Sequence, residues 1–137
     1  MNEFELINYL TKLTKKARDS LNLNDDVFFN KSSGLVISVD TYIEGVHFIN
    51  FTNPGLVIKK ILRSSISDLI SKGVKPKYYF LSASGNKKNF SKKKLSQITK
   101  SLNEEQKKYK IMLGGGDTVS SSKLSFTIVS VGFSNKI

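Results

Sequence analysis

Leu113-Gly114-Gly115-Gly116-Asp117-Thr118 sets three consecutive glycines between an apolar run, Lys110 to Leu113, and a carboxylate. Glycine admits positive φ and lets a backbone come close to a ligand. A strand feeding such residues predicts a turn whose outward amides form a concavity for phosphate oxygens. An aspartate directly after it can hold the metal ion that accompanies nucleotide phosphates. The competing reading is a tight structural hairpin between Ile111 and Phe126. The other carboxylates of the chain bear on that choice.

Working outward, Leu124 to Val131 is a strongly patterned strand, and residues 91–109 are a helix with Leu95, Ile98 and Leu102 on its inner face. Before it lie a strand, Tyr78 to Ser84, and a lysine-rich loop. Residues 53–73 form the best-punctuated helix: Asn53 caps it, Pro54 suits its first position and Gly73 its stop. Its apolar stripe runs Ile58, Ile61, Leu62, Ser65, Ile66, Leu69 and Ile70, with Asp68 on the stripe's edge. Ser65 inside the stripe implies close packing onto a sheet. Lys59, Lys60 and Arg63 read as the solvated face, with Arg63 also in a position to reach the site. Leu35 to Val39 is a clear strand that runs into Asp40, with a hairpin-type turn at Lys31–Gly34 before it and short extended pieces at 27–29 and 47–49. Residues 3–20 repeat apolar positions at three and four, a further amphipathic helix. The expected fold is α/β (α+β): a mixed sheet of four to five strands covered on one side by two long helices.

At 137 residues the chain is long enough for one domain with a real core. The apolar runs fall far short of the ~20 residues that span a bilayer, and Met1 to Ser20 carries three acids, unlike a targeting peptide. There is no cysteine, hence no thiolate site. The address expected is cytoplasmic. A net charge of +11 invites a nucleic-acid reading, but Arg18 and Arg63 are the only arginines, and bidentate recognition favours arginine. Attraction of anionic substrates fits better.

Five aspartates, Asp25, Asp26, Asp40, Asp68 and Asp117, lie in turns, at strand ends or on the helix edge. Strand ends are where α/β proteins build sites, although aspartate also favours turns for local hydrogen bonding. Asp40, Asp68 and Asp117 converging on Mg2+ would suit nucleotide-dependent phosphoryl transfer, in which positioning and charge neutralisation dominate. His47, the only histidine, follows Asp40 closely enough to reach a substrate phosphate; a lone histidine is also commonly a surface or packing residue.

Four stretches occur in order: Asn24-Asp25-Asp26; Ile37 to Phe48 (ISVDTYIEGVHF); Ser67 to Pro76 (SDLISKGVKP); and Gly115-Gly116-Asp117-Thr118. Together they resemble the N-terminal half of the thiamine-monophosphate kinases, within the aminoimidazole-ribonucleotide synthetase-related superfamily, over roughly residues 20 to 134. The resemblance implies Mg2+ ligands at Asp26, Ser38, Asp40, Asp68 and Asp117, with residue 39 contributing near the same ions. It implies that Gly115, Gly116 and Asp117 lie against ATP, that Asp40 and Asp117 serve catalysis, and that His47 contacts the substrate. The implied reaction moves the γ-phosphoryl of ATP onto thiamine monophosphate. The implied assembly is a homodimer whose paired N-terminal domains complete the sheet, with neither nucleic acid nor membrane as partner.

Two local departures stand out. Asn24 replaces a glycine, and asparagine also tolerates left-handed φ; Val39 replaces a threonine, leaving only its carbonyl. The family also has a second domain, and residues 1–137 are expected to be the N-terminal ATP/Mg2+-binding domain alone, poorly active by itself. Two alternatives stand beside this reading: another ATP-dependent synthetase of the superfamily, and a basic, non-catalytic nucleic-acid-binding module.

Overall fold

A computed structural model describes residues 2–14 and 27–134. The elements in order are α1 (Glu3–Thr11) with a 3-10 turn (Lys12–Thr14), β1 (Phe28–Asn30), β2 (Leu35–Ile43), α2 (Pro54–Ile70), β3 (Lys75–Gly85), α3 (Lys92–Tyr109), β4 (Met112–Ser120) and β5 (Ser125–Phe133). The five strands form one sheet in the order β1-β2-β5-β3-β4. All neighbours are antiparallel except β3 and β4, which run parallel and are joined through α3. The expected mixed sheet with two long helices on one side is what forms.

The punctuation of α2 works as its residues dictate. The Asn53 side chain accepts from the Leu56 amide at 3.3 Å, Pro54 opens the helix, and Gly73 takes φ +74° just past its end. Its buried stripe, Ile58, Ile61, Leu62 and Ile66, packs on Tyr42, Tyr79, Phe126 and Ile128 of the sheet. Ser65 is buried inside the stripe, and its hydroxyl lies 2.9 Å from that of Ser130 on β5. A small side chain there lets the helix settle close to the strand.

The inner face of α3 differs from the expected one. Leu95 is exposed, and the buried positions are Ile98, Ser101 and Glu105. Arg63 meets Oε1 of the Glu105 carboxylate across the helix pair at 2.8 Å, while Oε2 is buried with no hydrogen-bond partner among the described residues. Lys59 pairs with Glu104 one turn earlier. Two of the three cations read as a solvated face therefore stitch α2 to α3.

The glycine run is not a turn. Gly114, Gly115 and Gly116 sit inside β4, and none has positive φ. A Cβ on Gly116 would lie 2.0 Å from the Leu81 carbonyl oxygen, and one on Gly114 would strike the Phe80 ring. The register shifts by one residue between Tyr79 and Phe80 to fit them. These glycines thus serve close strand approach at a bulge. The 47–49 piece is likewise reduced to one bridge, Glu44 to Phe48, closing a tight turn around Gly45 at φ +86°. Of the helix expected over residues 3–20, residues 3–11 form α1 and 15–20 lie outside the described residues; the apolar side chains of α1 are all exposed or half-buried.

Candidate functional site

Strand alternation decides which side chains meet. Asp40 pairs with Ile128, a core residue beneath the helices, and so shares its face with Ser38 and Tyr42. Ser38 is buried, and its hydroxyl is a buried oxygen with no hydrogen-bond partner among the described residues. Across the strand pair it faces Ser130, which Ser65 already engages. Tyr42, two residues on, is buried against α2. Burial pushes its phenol pKa up, the Asp40 and Asp68 carboxylates push the same way, and hydrogen bonding to Ser64 and Ser65 opposes them. Ser38, Asp40 and Asp68 are thus gathered around Tyr42 in the seam between β2 and α2.

Asp117 lies on the other face. Thr41 and Thr127 face each other with hydroxyls 3.0 Å apart; Thr127 pairs with Ser82, and Ser82 with Asp117. This polar row crosses four strands on the face without helices. Gly115 and Gly116 adjoin it in β4, which is an edge strand with one row of backbone groups directed away from the sheet. Among the described residues no three His, Asp or Glu side chains stand together closely enough to hold a metal ion. Asp40 and Asp68 thus both act on the Tyr42 phenol, Ser38 shares the Asp40 face of β2, and Asp117 lies on the opposite face of the sheet. Asp25 and Asp26 lie outside the described residues.

His47 sits in the turn after β2. Its Nδ1 accepts from the Ile43 amide at 2.8 Å, which leaves the ring proton on Nε2. The imidazole meets the Tyr42 ring edge-on, and it lines a cleft of about 350 Å³ together with Lys60. Sequence reasoning passes over Tyr42 and places Lys60 only on the solvated face of its helix. For Tyr42 the available signal was its spacing of two from Asp40 in a strand, which puts both on one face.

The AIR synthase related protein N-terminal domain matches residues 24–134. The chain belongs to this family. It is 32% identical over 138 residues to the thiamine-monophosphate kinase of Bacillus subtilis strain 168, an alignment covering 96% of this chain and 42% of that protein. A structure of AaThiL complexed with AMPPCP and TMP superposes with a TM-score of 0.82 at 25% identity, over 97% of this chain and 42% of that one. Thiamine monophosphate kinase from Aquifex aeolicus gives 0.76 at 26% identity, over 98% and 44%. This AIR synthase related domain therefore spans about two fifths of the length of the relatives it matches. Among its described residues no helix is long and apolar enough to cross a membrane.

Proposed function

We propose that this domain is the nucleotide- and Mg2+-binding part of a thiamine-monophosphate kinase, which transfers the γ-phosphoryl of ATP to thiamine monophosphate and yields thiamine diphosphate. The observation that carries the reading is the match, over nearly the whole chain, to a structure complexed with AMPPCP and TMP. The seam between β2 and α2 supports it. Ser38, Asp40 and Asp68 offer the hard oxygens that Mg2+ takes, and the buried, unpartnered Ser38 hydroxyl is the kind of group an ion would satisfy. Asp26, directly before Val27 in the sequence, completes the proposed ligand set.

Bound Mg2+ would neutralise the charge that builds on transferring phosphate oxygens. The protein's own part is positioning. Asp40 and Asp68 are held by β2 and α2, so their spacing is set by the packed core. Gly115 and Gly116 keep the β4 edge clear of side chains for the phosphates of ATP, with Asp117 beside them as the second carboxylate site. His47, donating from Nε2, is assigned to the acceptor. The reading includes a homodimer formed through the helix-free sheet face, where Val39, Phe80 and Phe133 are exposed, and a cytoplasmic address.

The test is a pair of measurements. Millimolar Mg2+ with AMPPCP should raise the melting temperature of the chain, because binding only the folded state stabilises it, and Asp40→Asn should reduce the rise. Conversion of thiamine monophosphate should be poor with the chain alone and rise when the remaining part of the Bacillus subtilis relative is added in trans. No thermal response and no conversion under either condition would overturn the proposal.

A further inference from the structure

Gln106 stands where α3, β3 and β4 meet, and both of its carbonyl groups are in use. The backbone oxygen accepts from the amides of Lys110 and Ile111. The chain leaves α3 there through Lys110 at φ +56°, a left-handed value that no other non-glycine among the described residues takes. The side-chain Oε1 accepts from the Tyr79 hydroxyl at 2.9 Å and from the Leu113 amide at 3.3 Å. An amide oxygen has two lone pairs and can take both bonds at once.

Tyr79 and Leu113 are themselves partners across the β3–β4 pair. The next residue of β3, Phe80, pairs with Gly115, so Gly114 is the residue taken up by the bulge. One side-chain oxygen thus ties both members of the pair that immediately precedes the bulge. What depends on this is the face that Asp117 takes. With Gly114 absorbed, Asp117 pairs with Ser82, on the helix-free face. Were Gly114 to pair with Phe80, each later residue of β4 would move one step. Asp117 would then lie opposite Ala83, whose side chain packs against the core beneath the helices. A slip of one residue turns every side chain to the other face, and a glycine-rich strand specifies its register weakly. A fixed point just outside the glycine run is what such a strand lacks, and Gln106 supplies it.

We propose that Gln106 is a positioning residue for nucleotide binding: by clamping Tyr79 and Leu113 it sets the bulge at Gly114 and hence the face from which Asp117 meets the nucleotide. The role in binding rests on the nucleotide reading of β4 given above; the clamp rests on the hydrogen bonds.

Isothermal titration of the 137-residue chain with AMPPCP in the presence of Mg2+, together with amide hydrogen exchange, tests both parts. Gln106→Met keeps the length of the side chain and removes the amide acceptor. It should weaken AMPPCP about tenfold, as loss of these hydrogen bonds implies, and speed exchange of the Leu113 amide. Gln106→Glu keeps an acceptor oxygen at the same reach and should restore most of the affinity. Ile98→Val loosens the buried face of the same helix without touching the clamp, and should leave AMPPCP affinity within about twofold. A wild-type chain that binds AMPPCP beside a Gln106→Met that binds it equally would overturn the positioning role alone. So would a loss that Gln106→Glu fails to recover, or one that Ile98→Val reproduces. A wild-type chain without affinity for AMPPCP and Mg2+ would overturn the nucleotide reading and this role with it. Should Gln106→Met fail to fold, the wild-type chain still decides, because a Leu113 amide exchanging as fast as an unprotected one would refute the clamp.

Discussion

The imidazole of His47 stands edge-on to the ring of Tyr42, with centroids 5.5 Å apart and planes at 74°. The Tyr42 phenol in turn faces Ser64, Ser65, Asp40 and Asp68. One side chain therefore meets both the carboxylates of the seam and the imidazole that lines the cleft. It relates the proposed phosphoryl donor side to the proposed acceptor side through rigid core packing.

Phenylalanine and leucine at position 42 should separate those two roles. Tyr42→Phe keeps the ring against His47 and removes the hydroxyl. It should leave thiamine-monophosphate affinity within about twofold and alter the thermal response to Mg2+ and AMPPCP. Tyr42→Leu also removes the edge-on contact, worth about 1 kcal/mol, and should weaken acceptor binding about fivefold. Equal acceptor affinities in the two variants would mean that the ring does not position His47.

Backbone proximity at the bulge gives a second prediction. In Gly116→Ala the new Cβ would sit 2.0 Å from the Leu81 carbonyl oxygen, so the β3–β4 pairing must shift. The expected loss is about 3 kcal/mol in denaturant unfolding. Gly115→Ala meets only the Phe80 ring at 3.5 Å, an ordinary contact, and should stay within about 1 kcal/mol of wild type. If both variants unfolded together, the bulge register would be wrong.

How far the sequence could be read is visible in these same residues. The stop and start of α2 are local, written in Asn53, Pro54 and Gly73, and they were legible. The glycines of β4 were legible as a backbone requirement but not as the kind of requirement. Positive φ and close strand approach demand the same residue, and only Phe80 and Leu81 across the sheet distinguish them. The parity of strand positions could be counted along β2, which groups Ser38, Asp40 and Tyr42. No count within one strand tells that Asp117 faces the opposite side, because that depends on the register of β4 against β3 and its one-residue shift. Glu105 was hidden for a similar reason. A carboxylate at an inner helical position looks like a broken stripe until Arg63 on another helix is seen to meet it.

The separation of the carboxylates makes the metal proposal divisible. Asp40→Asn and Asp68→Asn should each remove the same part of the Mg2+-dependent thermal shift, and the double variant should lose little more. Residues around one ion are strongly coupled, whereas distant sites add. Asp40→Asn combined with Asp117→Asn should instead behave additively. Coupling between 40 and 117 as strong as that between 40 and 68 would place all three around a single ion.

Tyr79 provides a pH dependence with a definite sign. It is fully buried on β3, its hydroxyl donates to Gln106 Oε1 at 2.9 Å, and burial pushes its pKa from 10.0 up to about 12. In the unfolded chain the phenol loses its proton near pH 10, while the folded chain keeps it until about pH 12. Between those values the unfolded state binds fewer protons, so stability falls as pH rises. The contribution is intact below pH 10 and declines by about 2 to 3 kcal/mol across the window. Lysine deprotonation occurs in the same range and is common to wild type and Tyr79→Phe, so their difference isolates the phenol. At neutral pH, Tyr79→Phe should be less stable by about 1 kcal/mol, having lost the bond to Gln106. Denaturant unfolding of both proteins from pH 7 to 11.5 should show this deficit constant up to about pH 10, then shrinking and reversing, because phenylalanine cannot ionise. A deficit that stays constant through pH 11.5 would show that the Tyr79 phenol ionises as readily in the folded chain as in the unfolded one.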